Sequence, residues 1–286
     1  MQTINTNSNQ SMGCNTEYDR LINVLVSKPE HMKITEIINE TQRHYASENI
    51  DVDTALKQHE EFVNLLQNHQ VNVGYIPTHP NFNEQVFTRD IGFCIGQHLY
   101  ISSLASDLRK EEIKPLIELI EEMDLTYTQL TGPSIEGGDV VINGQNIYVG
   151  ISKRTKLSAA EQLQKTLPSY TIIPLELRED VLHLDCAFNI VDEKTALLFP
   201  DAFQQKDADL LKQSFECLEV GEEEQFHLGT NVLSIGSRKV ISLPQNNEVN
   251  EKLREAGFEV LEVDFSEIIK SGGSFRCCTL PINRQP

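Results

Sequence analysis

The chain has 286 residues, of which 39% are hydrophobic, with 15 glycines and 11 prolines. This length allows one large domain or two ordinary ones, and the composition excludes a disordered chain, a collagen-like repeat and a coiled coil. Acidic residues outnumber basic ones by 43 to 24, and the formal net charge of −19 repels phosphate backbones and anionic membranes. We therefore expect no nucleic-acid and no membrane partner, whereas a cationic small molecule suits this charge.

The amino terminus lacks the basic stretch and the apolar run of a signal peptide, and the chain has no apolar stretch long enough to span a bilayer. These features predict a cytoplasmic protein. We predict a flexible tail over residues 1–15 and a single domain over 16–286. None of the six cysteines has CxxC spacing, which favours neither a disulfide framework nor a zinc ribbon.

Apolar residues alternate along the chain between helical spacing and the spacing of paired strands. The helix over 53–69 is predicted to start at the N-cap Asp53. In chain order the predicted elements are a strand at 18–27, a helix at 53–69, a hairpin at 86–101, a helix at 107–123, a hairpin at 138–151, a helix near 155–166, a hairpin at 185–199, a helix near 204–216, a hairpin at 229–243, helices near 245–256 and 265–270, and a strand at 277–282.

The hairpins recur at a nearly constant interval. One polar residue or cysteine stands at the head of each hairpin-like run, at separations of 49, 46, 46 and 46 positions: Asp90, Asp139, Asp185, Asn231 and Cys277. The chain therefore reads as five repeats of one unit. The strands at 277–282 and 18–27 each lack a partner, and pairing them would close the repeats into a ring with the five heads at a common axis.

The heads carry residue types that support chemistry. They read FTRD at 87–90, EGGD at 136–139, HLD at 183–185 and GGSFRCCT at 272–279. A cysteine, a histidine and several carboxylates at one axis would supply a nucleophile, a proton carrier and acceptors for a cation. The sequence thus predicts a catalytic site rather than a purely structural ring.

These motifs, in this order and at these intervals, resemble the guanidine-modifying superfamily of arginine deiminases, amidinotransferases and dimethylarginine dimethylaminohydrolases. The similarity covers nearly the whole chain beyond residue 15. EGGDVVINGQNIYVGISKRT and the terminal CCTLPIN are most similar to dimethylarginine dimethylaminohydrolases, while FTRD and HLD are more like arginine deiminases. The resemblance implies a five-bladed, pseudo-symmetric α/β propeller, which the repeat spacing also predicts.

Matched residue by residue, the resemblance implies a catalytic set. Cys277 matches the nucleophile, His183 the proton-transfer histidine and Glu136 the carboxylate that orients it. Cys278 would face the opposite side of its strand and belong to the core. Other interpretations stay open, since Cys277 and His183 could be core residues, Glu136 could cap a turn, and Cys277, Cys278 and His183 could hold zinc.

The resemblance also implies a substrate-binding set. Asp90 and Asp185 match carboxylates that bind a guanidinium, and Arg154 matches an arginine that binds the substrate carboxylate, unless it is an ordinary surface residue. Arg109 is a less surely aligned second group of that kind. Glu84 stands where these families carry Asp or Asn, and this longer side chain changes the expected shape of the pocket.

A guanidinium is planar and resonance-stabilised, so its central carbon needs a stronger nucleophile than water, and a thiolate meets that need. We predict a cysteine-dependent hydrolase of a guanidino C–N bond that resembles dimethylarginine dimethylaminohydrolases and needs neither a metal nor an organic cofactor. An arginine deiminase or an amidinotransferase with another guanidino substrate is the alternative. A translation initiation factor of similar fold is a non-enzymatic third possibility, and a homo-oligomer stays open.

Overall fold

Five three-stranded sheets surround a central axis in the computed structural model, which describes residues 12–286. Each sheet, or blade, has an antiparallel pair and a third strand parallel to the second. This is a five-bladed α/β propeller, as the sequence predicted. The blades comprise β1 (Arg20–Val26), β2 (Asn72–Tyr75) and β15 (Leu280–Gln285); β3 (Gly92–Ile95), β4 (His98–Ile101) and β5 (Tyr127–Gln129); β6 (Val140–Asn143), β7 (Asn146–Ile151) and β8 (Thr171–Glu176); β9 (Phe188–Ile190), β10 (Thr195–Leu198) and β11 (Glu216–Glu219); and β12 (Leu233–Gly236), β13 (Lys239–Ser242) and β14 (Glu259–Glu262).

A helix connects the second and third strands of each blade, which is the crossover that a parallel pair requires. These connecting helices are α2 (Val52–Asn68), α3 (Ile113–Glu122), α4 (Leu157–Thr166), α5 (Gln205–Ser214) and α7 (Asn247–Glu255). Two short helices were not predicted, α1 (Glu40–Tyr45) and α6 (Glu222–Phe226). Each is too brief to show a clear apolar period.

Two helix predictions were wrong in detail. The N-cap of α2 is Asp51 rather than Asp53, because the Asp51 side chain accepts a hydrogen bond from the Thr54 backbone N–H at 2.7 Å. The helix near 265–270 is instead a 3-10 turn over Ile268–Ser271. It ends at Gly272, whose left-handed φ of 94° reverses the chain.

The first and last parts of the chain close the propeller. β15 pairs antiparallel with β1, so the first blade takes its hairpin from both ends of the sequence. This confirms the predicted closure, but the predicted strand at 277–282 begins only at Leu280, and Cys277 and Cys278 lie in the turn before it. Residues 1–11 of the predicted tail lie outside the described residues, and contacts with the propeller already begin at Gly13 and Cys14, which bond to Ile282 and Gly96.

Across residues 12–286 the buried apolar residues form five clusters, four between two neighbouring blades and the largest across the first, fourth and fifth blades. In one of them Phe93 and Tyr100 of the second blade pack against Val140 and Ile147 of the third. Because apolar side chains of each blade pack against those of the next blade, the core is distributed around the ring rather than concentrated in one layer. Within residues 12–286, none of the helices combines the length and the apolar character needed to cross a bilayer.

Hydrogen bonds link the five heads in a closed ring around the axis. Backbone N–H groups donate to the head carbonyls of Cys277, Asp90 and Asn231, from Arg89, Gly137 and Arg276 respectively. The Leu184 N–H donates to the Asp139 carboxylate, and the Asn231 side-chain amide donates to the Asp185 carbonyl. Each blade is thereby held to the next at the end of the propeller where the heads lie.

Gly137 leaves no room for a side chain at this ring. A Cβ there would lie 2.1 Å from the Arg89 carbonyl oxygen and 2.7 Å from that of Gly92, and both obstacles are backbone atoms. We therefore expect Gly137→Ala to lower the free energy of unfolding by about 3 kcal/mol, measured by urea denaturation. Gly221→Ala, which meets no atom within 4 Å, is the matched control and should change it little. Equal stability of the two variants would contradict this account of the ring.

Candidate active site

A narrow cavity lies where the heads meet. Loops and 3-10 turns between the strands and helices bring the residues there, which explains how positions far apart in sequence become neighbours. Of the predicted site residues, six line this cavity: Glu84, Asp90, Arg109, Arg154, His183 and Cys277. Glu136 and Asp185 stand directly behind this wall, bonded to His183 and in contact with Cys277 respectively.

His183 and Glu136 form a buried ion pair. The Nε2 atom of His183 lies 2.7 Å from Oε2 of Glu136. Burial alone would lower the pKa of His183, but Asp90 and the hydrogen bond to Glu136 outweigh it and raise the pKa to about 10. Burial likewise acts to raise the pKa of Glu136, and His183 and Arg154 overcome this and lower it to about 2. At neutral pH the histidine is therefore a cation held in place by a carboxylate.

Three polar atoms face the cavity region without a hydrogen-bond partner in the described part of the chain. They are Oδ1 of Asp90, Nδ1 of His183 and Nη1 of Arg154. The first two lie 3.6 Å apart, and the third lies 3.6 Å from Glu136, which are distances too long for hydrogen bonds. Buried polar groups in proteins are almost always paired, so this set marks a place for a polar ligand.

Cys277 is held from both sides. Its backbone N–H donates to Oδ1 of Asn231, and the Asn231 amide donates to the thiol sulfur at 3.1 Å. The oxygens of Asp185 lie 3.6 and 3.7 Å from the same sulfur. A hydrogen bond with Cys186, burial and the Asp185 charge raise the pKa of Cys277 well above that of a free thiol. The Cys277 thiol is therefore neutral at neutral pH.

Cys278 faces away from this site. It is fully buried in the same apolar cluster as Phe275 but does not line the cavity. Two groups in residues 12–286 bring three metal-ligating atoms within 4.8 Å, namely Asp90, Glu136 and His183, and Asp185, Cys186 and Cys277. Cys278 belongs to neither group, so the described geometry does not assemble the zinc set of Cys277, Cys278 and His183.

Asp90 is the centre of a second buried charge network. Nη1 of Arg109 contacts its Oδ2 atom at 2.6 Å, and the same guanidinium contacts Glu112 at 2.9 Å. Burial opposes the charge of Arg109, but Glu112 and Asp90 raise its pKa well above the ordinary value. Arg109 thus fixes one oxygen of Asp90 and leaves the other oxygen toward the cavity.

Glu84 forms part of the cavity wall and is hydrogen-bonded to two residues that the sequence did not indicate. Its Oε1 atom accepts hydrogen bonds from the Gln42 amide at 2.6 Å and the Ser271 hydroxyl at 3.2 Å. Burial raises the pKa of Glu84 to about 7, with Arg109 acting in the opposite direction. The carboxyl group therefore changes its charge near neutral pH.

The segment at the start of α1 covers the cavity. Ile38 and Asn39 line it, the Ile38 carbonyl accepts a hydrogen bond from Arg154, and the Asn39 amide donates to the Ser271 carbonyl. This segment carries no motif, so sequence reasoning had no signal for it. Asn231 is different, because its position at the fourth repeat head could have assigned it to the site.

A five-bladed propeller that gathers a cysteine, a histidine with its glutamate and two aspartates around one cavity defines the class of guanidino-modifying enzymes. The profile of one family, described as N,N dimethylarginine dimethylhydrolase, eukaryotic, matches residues 28–284. The chain belongs to this family.

Individual relatives agree with this assignment. The chain is 49% identical over 271 residues to the uncharacterized protein YkgA of Bacillus subtilis, covering 95% of each chain. It is 26% identical over 233 residues to N(G),N(G)-dimethylarginine dimethylaminohydrolase of Pseudomonas aeruginosa, covering 80% of this chain and 89% of that one. A substrate-bound mutant of the N-terminal domain of ArgZ, an arginine dihydrolase from Cyanobacteria, has the same fold, with a TM-score of 0.84, 22% identity and coverage of 92% and 98%.

The ion pair of His183 and Glu136 predicts a pH-dependent stability. The pKa of His183 is raised from 6.5 to about 10, and that of Glu136 is lowered from 4.5 to about 2. The ion pair therefore makes its full contribution to the free energy of unfolding between pH 4.5 and 6.5. Its contribution is lost as the pH rises through about 10. We expect Glu136→Gln to lower the free energy of unfolding by about 3 kcal/mol at pH 6 and by much less at pH 10, measured by urea denaturation.

The exposed Glu118→Gln is the control for this variant and should have little effect at either pH. A stability loss in Glu136→Gln that stayed constant from pH 6 to pH 10 would show that the pair is not ionic.

Proposed function

We propose that this protein is a cysteine-dependent hydrolase that cleaves a guanidino C–N bond of an N-methylated arginine, releasing an amine and a ureido product. The observation that carries the proposal is the set of unpaired buried atoms on Asp90, His183 and Arg154 beside the Cys277 thiol. The family membership and the similarity to the Pseudomonas enzyme support this substrate class.

Charge selects the substrate in this proposal. Asp90 and Asp185 flank Cys277 and would accept the N–H groups of a guanidinium, while Nη1 of Arg154 would bind the substrate carboxylate. Entry of the cation next to the thiol lowers the thiol pKa, so a proton leaves to solvent as the cation enters. The net charge of the site is then unchanged, and the nucleophile forms only when substrate is present.

The sulfur then attacks the guanidinium carbon, and a C–S bond forms as one C=N bond becomes single. His183 donates the proton on Nδ1 to the departing nitrogen, the C–N bond breaks, and a thiouronium intermediate remains. A water molecule attacks the same carbon and gives a proton back to His183. Cleavage of the C–S bond then forms the C=O bond, and the remaining proton of the attacking oxygen passes to the leaving sulfur, so that the ureido product and the neutral Cys277 thiol are released. Glu136 keeps the imidazole oriented throughout.

Arginine is the second candidate substrate, because Asp185 is a second full carboxylate beside the reacting sulfur. An unmethylated guanidinium has more N–H donors to satisfy it than a dimethylated one. An amidinotransferase would follow the same first half and admit an amine in place of water. Mass analysis of the products formed from methylarginines, arginine and other guanidino compounds, with and without an amine acceptor, distinguishes the three activities.

Cys277→Ser should reduce turnover by at least about 1,000-fold, because the weaker hydroxyl nucleophile replaces the thiol. Cys278→Ser is the control, since that residue lies outside the cavity, and it should keep most activity in the fraction that folds. Both variants are assayed for product, and the wild-type protein is treated with a haloacetamidine probe followed by peptide mass analysis. Labelling of Cys278 with Cys277 left unmodified would refute the assignment of the nucleophile.

Glu84→Asp should increase the ratio of kcat/KM for a dimethylated arginine over that for arginine by about tenfold. The shorter side chain moves a hydrogen-bond acceptor away from the substrate, and methylated nitrogens have no N–H to donate to that acceptor. A buried acceptor without a donor costs about 1–3 kcal/mol of binding free energy. Glu84→Gln keeps the length but removes the charge, which separates the effect of size from that of charge. An unchanged ratio in both variants would show that Glu84 does not influence the choice of substrate.

A further inference from the structure

Three arginines lie buried together on the propeller axis, outside the candidate active site. Arg89, Arg276 and Arg284 are each less than 5% exposed, and their charges all act on the buried carboxylate of Glu17. Arg276 approaches Glu17 at 3.2 Å and Arg89 approaches it at 3.8 Å. We call this set of four residues the arginine cluster.

The hydrogen bonds of the arginine cluster locate it at the centre of the ring. Arg284 belongs to the first blade, and Arg276 lies just before the last strand of that blade. Arg276 donates a hydrogen bond to the Val140 carbonyl of the third blade, and Arg284 donates one to the Ser234 carbonyl of the fifth. Glu17 accepts from the Ile142 N–H, also in the third blade. The third blade is not a neighbour of the first, so the bonds from Arg276 and Glu17 to Val140 and Ile142 cross the axial space, while Arg284 reaches the neighbouring fifth blade.

Five nitrogen atoms of the arginine cluster have no hydrogen-bond partner within residues 12–286. They are Nε and Nη2 of Arg89, Nε and Nη1 of Arg276, and Nε of Arg284. All five nitrogens are buried, and a guanidinium has no state without N–H donors. Five unpaired donors in one region are far more than a folded protein leaves unsatisfied.

Charge decides what would satisfy these donors. The three guanidinium cations have one carboxylate close to them, that of Glu17. A second carboxylate, that of Asp185, lies 3.8 Å from Arg276 and also contacts the Cys277 sulfur. The charge of Asp19 also attracts Arg284, but at longer range, and Asp19 is partly exposed. Burial and the neighbouring Arg276 lower the pKa of Arg89 to about 10, as expected for a cation with too little negative charge around it. A neutral water molecule would fill the hydrogen bonds but not offset this excess.

We propose that the propeller axis contains an anion-binding site, in which one small monovalent anion of the halide class binds the unpaired N–H groups of Arg89, Arg276 and Arg284. The size follows from burial, since all five nitrogens are shut off from bulk solvent. The anion neutralises part of the excess charge that Glu17 leaves. It thereby joins the first blade to the third and fifth, and its role is in stability rather than in the chemistry at Cys277.

Bromide provides a direct test because it scatters anomalously and substitutes for chloride. Crystals of the wild-type protein grown in sodium bromide should show an anomalous peak among the three guanidinium groups. Density for water alone at that position, without an anomalous signal, would overturn the proposal.

Thermal unfolding provides a second test in solution. At constant ionic strength, replacing gluconate by chloride should raise the Tm of the wild-type protein by about 3 °C, because the anion binds only the folded state. Arg89→Met should lose this shift, and the exposed Arg43→Met should retain it. If Arg89→Met does not fold, Arg89→Lys replaces it and should reduce the shift. A shift of equal size in the wild type and the Arg89 variant would refute the site.

Discussion

The ring of hydrogen bonds between the five heads is the constraint on which the rest of the structure depends. Each bond runs from one blade to the next, from Cys277 through Asp90, Asp139, Asp185 and Asn231 and back. A ring of this kind fixes the separation of side chains that lie about 46 residues apart in sequence. Catalytic groups must be held within a fraction of an ångström, and groups on a closed ring of sheets satisfy this better than groups on free loops.

Burying several charged groups near this ring costs desolvation free energy, and the fold offsets this cost by placing opposite charges in contact. His183 and Glu136 hold opposite charges in contact, and Arg109 balances Asp90. Asp185 has a more distant cation, Arg276 at 3.8 Å, and lies 3.6 Å from the Cys277 sulfur. A bound guanidinium would supply further positive charge next to Asp185. In the proposed reaction, the carboxylates near Cys277 keep the thiol neutral until the substrate cation arrives, and the positive charge of the substrate then favours the thiolate.

Positive charge is in excess on the other part of the axis. Arg276 lies between the two regions, since it approaches both Glu17 and Asp185. The neighbouring residue in sequence, Cys277, belongs to the cavity. The axis therefore has a region that would attract a cation and a region that would attract an anion, separated by one peptide unit. Each region is lined by side chains from several blades, so both depend on closure by β1 and β15.

The sequence by itself determined the repeat, the number of blades and the terminal closure, because the 46-residue interval and the apolar periods are local features. It also indicated the head residues, apart from a site role for Asn231, because heads of equivalent repeats must meet at one axis. Only the tertiary structure decided which groups pair there. The contact of Arg109 with Asp90, the cover formed by Ile38 and Asn39, and the arginine cluster all join residues with no common period. Such contacts follow from the angles between blades and from side-chain packing, and neither is a property of a single segment.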